Sequence, residues 1–173
     1  MQAPPDDPSY GYDAVARRFD ILVRDARALD SNSPQAENPM AIVVSVGNIA
    51  ADDNLYQYVR SPATAKNVIS VGATGLAVWD YVSAVPCRTS IGIRDVSTLS
   101  RRGTPFLAYG TAYLRLRPDL VAPGRSTVST RSYSGTVADC AYNGGNIIYE
   151  GGAAYLAENG TSFSTPQVTG AAV

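Results

Sequence analysis

Ala41-Ile42-Val43-Val44-Ser45-Val46, closed by Gly47-Asn48, is the stretch that decides the fold class. A short, unbroken, β-branched run reads as a strand buried on both faces. That is the habit of parallel sheets, since half-solvated antiparallel strands alternate apolar with polar. A second run, Val68-Ile69-Ser70-Val71, closes in the same way at Gly72. Ahead of both, Val15, Phe19, Leu22, Ala26 and Leu29 recur at helical spacing, with Arg17, Asp20, Arg24 and Asp25 mostly off that stripe. Asp13 is the expected N-cap of this helix, and the polar stretch Asp30-Ser31-Asn32-Ser33-Pro34 its end. A helix followed by doubly buried strands predicts an α/β domain built on a parallel sheet.

Further along, Leu120-Val121-Ala122-Pro123-Gly124 ends in a turn dipeptide, and Ser126 to Thr130 reads as a short strand. The segment from Trp79 to Tyr113 is irregular and rich in Ser, Thr, Arg and Gly. At the C-terminus, Thr165-Pro166-Gln167-Val168 opens a helix with proline in its first turn, where a missing N–H costs nothing. The apolar face of that helix (Val168, Ala171, Ala172) has barely begun at Val173, as if the chain were cut inside an element.

Composition narrows the function. The chain has 173 residues, 45% of them apolar and 17% charged, enough for one core. Its 14 basic and 15 acidic residues are dispersed and nearly balanced, so nothing marks a surface for nucleic acid or for an anionic membrane. The Pro-rich, acidic start, Met1 to Asp7, lacks the cationic and apolar regions of a signal peptide. There is no histidine, which removes the usual general base near neutral pH. Cys87 and Cys140 are too far apart for a metal knuckle or a redox pair; they form one disulfide or remain two buried thiols.

One segment carries chemistry. Gly160-Thr161-Ser162-Phe163-Ser164-Thr165-Pro166 sets a serine on a glycine-prefaced turn ahead of a helix. The unpaired N–H groups and the positive end of the helix dipole would stabilise an oxyanion forming beside Ser162. The plainer alternative is a Ser/Thr cap on an ordinary helix.

That block, Gly160-Thr161-Ser162 with Pro166, resembles the nucleophile block of the subtilisin-like serine peptidases, the subtilases. Val43-Val44-Ser45-Val46-Gly47-Asn48 resembles the strand that presents the family's oxyanion-hole asparagine. Three more family-like stretches lie between, in family order. They are Ser61-Pro62-Ala63 leading to Asn67-Val68-Ile69-Ser70-Val71-Gly72-Ala73, then Leu99-Ser100-Arg101-Arg102-Gly103-Thr104-Pro105, then Arg117-Pro118-Asp119-Leu120-Val121-Ala122-Pro123-Gly124. The resemblance implies a three-layer α/β subtilisin-like fold with a mostly parallel sheet, incomplete in this chain. Residues 1–12 would form an N-terminal loop, and 13–173 a partial catalytic domain, the C-terminal part of the whole. It implies Ser162 as nucleophile and Asn48 as side-chain donor to the oxyanion, beside the Ser162 N–H. Val44, Ser45, Val46 and Gly47 would form one wall of the substrate-binding cleft; core packing is the competing reading of the two valines. A polypeptide substrate and a secreted, extracellular setting follow from the same resemblance. No cofactor is implied, and structural calcium could be held at no site that the sequence identifies.

The departures are as informative. The family's aspartate and histidine blocks, which precede the oxyanion asparagine, are both missing. Asp119 matches a structural position, Lys66 reads as a solvated lysine, and Gln167 stands where many relatives carry a histidine that is not the triad base. Without a base Ser162 is a weak nucleophile. The chain therefore reads as the nucleophile and oxyanion-hole half of a serine endopeptidase, or as a proteolytically silent subtilase-like binding or structural protein. A Ser-Glu-Asp carboxyl peptidase would share the Gly-Thr-Ser block but is expected to carry aspartate where Asn48 stands. A partial domain with open sheet edges is expected to associate with its missing part or with another copy of itself.

Overall fold

The computed structural model describes residues 11–26, 39–49, 58–75, 94–103, 116–125, 127–130, 146–147 and 155–172. Helix α1 (Ala14–Arg24) is followed by β1 (Val43–Ser45), β2 (Ile69–Thr74), β3 (Leu120–Pro123), β4 (Thr127–Thr130), β5 (Asn146–Ile147), β6 (Tyr155–Glu158) and α2 (Thr161–Ala171). Strands β1, β2 and β3 form a parallel sheet in that order, with Val44 opposite Ser70 and Gly72 opposite Val121. A second, antiparallel sheet has the order β4-β6-β5. The α/β class expected from the two β-branched runs is the class observed.

Side chains alternate across a strand, and the alternation sorts the layers. Ile42, Val44 and Val68 pack with Ala16, Phe19 and Val23 of α1, so this face of the sheet receives α1. Val46 continues the same face into a cluster with Val59 and Ala63. Val71 and Ala73 point to the opposite face and are fully buried. Helix α2 packs across β1, β2 and β3 on that side. Helices thus lie on both faces, as in other parallel sheets, while Leu120 and Val121 of β3 remain exposed.

Helix α1 begins where the sequence places it. Asp13 Oδ1 accepts from the Ala16 N–H at 2.8 Å and from Ser61 Oγ at 2.6 Å, which ties the cap to a distant loop. Asp13→Ala is expected to cost about 1–2 kcal/mol, the upper part of the range for lost caps, because both bonds go together. Urea unfolding followed by circular dichroism measures it.

The buried face of α1 departs from expectation. Val15 is exposed and Ala26 lies beyond the helix, while Ala16 and Asp20 are buried; Leu29 falls outside the described residues. The face is rotated because Asp20 is buried with partners. Its carboxylate accepts from Tyr12 Oη at 2.7 Å and from the Asn67 N–H at 2.6 Å. A carboxylate so bonded tolerates burial that an unbonded one would not. The helix also stops earlier than the stripe suggests, with the Asp25 N–H closing onto Ile21 O.

Asp119 is a lock between strands. Its Oδ2 accepts from the Ser70 N–H at 2.8 Å and from Ser70 Oγ at 2.7 Å, and it pairs with the buried Arg117. Arg117 also donates to Ala65 O and to Ser70 Oγ. The Arg-Pro-Asp-Leu stretch therefore fixes β3 against β2. Cys87 and Cys140 lie outside the described residues, as does most of the stretch from Trp79 to Tyr113.

Candidate active site

Three strand ends and one helix end meet at the carboxyl edge of the parallel sheet, the usual location of sites in open α/β folds. The chain leaves β1 through Val46 and Gly47 to reach Asn48. Gly47 has φ +88°, a left-handed conformation that a side chain would strain. The turn so made lifts Asn48 out of the core, and its side chain is exposed between buried Val46 and buried Ile49. Residues 97–101 brace it: the Ile49 N–H donates to Leu99 O at 2.7 Å and the Arg101 N–H to Gly47 O at 3.0 Å. Asn48 and Ser100 form an antiparallel bridge.

Strand β6 delivers the other half. Past Asn159 and Gly160, α2 begins at Thr161, not at Thr165 as the proline suggested. Pro166 thus falls in the second turn, and the helical bond from position 166 to Ser162 O is missing. The early start has a non-local cause. Gly160, the N-cap, has no side chain to cap the helix. Asn48 supplies that function instead: its Oδ1 accepts from the Thr161 N–H at 2.9 Å and from Thr161 Oγ1 at 3.0 Å, across 113 positions of sequence.

These two bonds fix the asparagine amide. A backbone N–H can only donate, so the atom facing Thr161 is the oxygen and the –NH2 group faces the other way. A Cβ at Gly160 would lie 3.3 Å from Asn48 Nδ2 and 3.7 Å from Ser162 N. Both donors therefore border the space that glycine leaves open. Among the described residues, nothing accepts from Asn48 Nδ2 or from the Ser162 N–H. Two unengaged donors beside an exposed serine at the positive end of a helix can stabilise an oxyanion.

Further bonds hold the two halves in place. The Gly160 N–H donates to Gly124 O at 2.7 Å, and the Gly124 N–H to Thr74 O at 3.1 Å, so the start of α2 is tied through β3 to β2. Gln167 Nε2 donates to Pro123 O at 2.7 Å and to Phe163 O at 2.8 Å, a second tie between α2 and β3. Ser164, one turn inside, is fully buried and its Oγ has no partner.

The structure brings Asn48 and Ser162 together and separates the other ionisable groups that the sequence raised. Asp119 is committed to Ser70 and Arg117. Lys66 Nζ sits over the Tyr12 ring, 4.9 Å from its centroid, on the α1 face. The side chains of Val44 and Val46 belong to the core clusters, while Ser45 and Gly47 are half-buried. Thr161, Arg101 and Gly124 were not assigned roles from the sequence. The signal was there, since each lies inside a motif block. Their partners, however, are contacts between blocks that a single sequence does not display. Among the described residues no group of three His, Cys, Asp or Glu side chains could hold a metal, and no helix is long and apolar enough to cross a membrane.

The sequence model of the subtilase family matches residues 9–173 of the chain. In a comparison with curated proteins, nothing matches it.

Proposed function

The chain belongs to the subtilase family, and from that premise we propose that it carries the nucleophile and oxyanion-hole half of a serine endopeptidase site. Ser162 Oγ attacks the scissile carbonyl of a polypeptide to give a tetrahedral adduct; the C–N bond then breaks, the amine leaves with a proton, and the acyl group stays on Ser162. As the carbonyl becomes tetrahedral, its oxygen takes up negative charge and accepts from Asn48 Nδ2 and from the Ser162 N–H. The observation that carries this reading is the Asn48–Thr161 pair of hydrogen bonds, which leaves the amide –NH2 group facing the space at Gly160 that the Ser162 N–H also borders. The segment Val44 to Gly47, which runs from β1 into the turn, leads into the site. Because its valines are core residues, the wall it offers a substrate consists of its backbone with Ser45 and Gly47. Action outside the cell is part of the same proposal.

The proton leaving Ser162 needs an acceptor, and no histidine of this chain supplies one. The same observation supports a second reading, a proteolytically silent relative that keeps the site's frame for binding or structure. Fluorophosphonate labelling separates the two. At alkaline pH hydroxide takes the proton, and the oxyanion hole alone should accelerate phosphonylation of Ser162 over that of other serines. A single adduct located at Ser162 by mass spectrometry, and lost in Ser162→Ala, is the expected result. Indiscriminate or absent labelling would support the silent reading.

A further inference from the structure

Asn48 is held from two sides. Thr161 fixes its amide, and Arg101 fixes its backbone. Arg101 is buried although its charge favours water, with 5% of its surface exposed. Its Nε donates to Asn48 O at 3.1 Å and its Nη1 to Tyr58 O at 3.3 Å, while its own N–H donates to Gly47 O at 3.0 Å. Its Cδ packs against Gly47, 3.2 Å from where a Cβ would stand. One side chain thus touches both residues of the Gly47-Asn48 turn and a third backbone segment. The next residue, Arg102, is exposed. A guanidinium suits such bracing because its planar fork presents several donors in fixed directions, where an ammonium is a mobile point charge.

We infer that Arg101 is a positioning residue for the oxyanion hole, setting the aim of Asn48 Nδ2 by holding the Asn48 carbonyl from beneath the turn. This rests on the proposed role of Asn48 and Ser162. It adds a residue that touches neither substrate nor reacting atoms. Without the Nε–H bond, the Asn48 carbonyl loses its guanidinium donor while the Arg101 N–H still holds Gly47 O, and Asn48 can shift about its backbone while Thr161 still grips the amide oxygen. A donor displaced by a fraction of an ångström loses much of its value to a transition state.

The test is a double-mutant cycle on the full chain, read as the rate of fluorophosphonate adduct formation at Ser162 at alkaline pH. Arg101→Lys is expected to slow labelling about tenfold, and Arg102→Lys to leave it unchanged. In an Asn48→Asp background, which has already lost the donor, Arg101→Lys should have no further effect. A merely structural arginine would slow both backgrounds equally, and that result overturns the proposal. Side-chain amide NMR of Asn48 gives a reading independent of chemistry. Its –NH2 signals should shift and lose order in Arg101→Lys while those of Asn67 stay fixed; unchanged Asn48 signals overturn the proposal. If the unmodified chain shows no selective labelling of Ser162, the peptidase reading fails, and Arg101 is judged on the amide signals alone. Should Arg101→Lys not fold, Arg101→Gln, which keeps a side-chain donor but shortens its reach, is put through the same two measurements.

Discussion

Asn48→Asp is expected to leave the fold intact and, if Asn48 acts as the proposed donor, to slow covalent labelling of Ser162 by about 10²–10³-fold, the magnitude for loss of one oxyanion-hole donor. The substitution is chosen for what it preserves. Asn48 does two jobs with two ends of one amide: Oδ1 caps α2 through Thr161, and Nδ2 faces the space beside Ser162. Aspartate keeps an oxygen for Thr161, and its charge suits a helix N-terminus. It replaces the donor, however, with a second acceptor that repels an oxyanion. Alanine would remove both functions. It would also leave the buried N–H and hydroxyl of Thr161 without their acceptor, at a cost of about 1–3 kcal/mol. The two variants should therefore separate. Thermal melting should place aspartate near the parent and alanine below it, while labelling falls in both. Equal labelling in Asn48→Asp and the parent would remove Asn48 from the oxyanion hole.

That division between the two ends of one amide explains what was legible in the sequence and what was not. Strands β1 and β2 could be read directly because a sheet with helices on both faces favours β-branched runs, although β1 is only half-buried where β2 is almost wholly buried. The cap at Asp13 could be read because its partner, Ala16, is three residues away. Asn48 and Ser162, which the structure sets beside one another, could be singled out because each sits in a recognisable block. The misreadings share a cause. Asp20 is buried through Asn67, and α2 starts four residues early through Asn48, partners 47 and 113 positions away. Local rules put Pro166 in the first turn because local rules count only local caps. Strands β5 and β6 were missed for a related reason: β5 is two residues long and exists only by pairing with β6.

Glycine at position 124 makes the other large prediction, because two halves of the site touch there. A Cβ on Gly124 would stand 2.3 Å from Ser164 Oγ, 2.6 Å from Ala73 Cβ and 2.7 Å from Gly160 O. The first of these could rotate away. The second belongs to a fully buried residue of β2, and the third is backbone immediately before Thr161 and Ser162. The added methyl can be accommodated only if α2 backs away from the sheet, which breaks the Gly160 to Gly124 hydrogen bond and carries Ser162 from Asn48. Gly124→Ala is therefore expected to destabilise the chain by about 3 kcal/mol, the upper end for overpacking, and to abolish selective labelling of Ser162 in whatever remains folded. Ser164→Ala removes the one contact that is free to yield, together with a buried hydroxyl that has no partner. Added to Gly124→Ala, it should recover part of the stability and none of the labelling. The control lies in the same helix. Gly170 has nothing within 4 Å of its missing Cβ, so Gly170→Ala should stabilise by up to about 1 kcal/mol through helix propensity alone. Urea unfolding of the variants tests the opposite signs. A Gly124→Ala chain as stable as the parent would mean that α2 does not rest on β3 as closely as the Gly160–Gly124 bond requires.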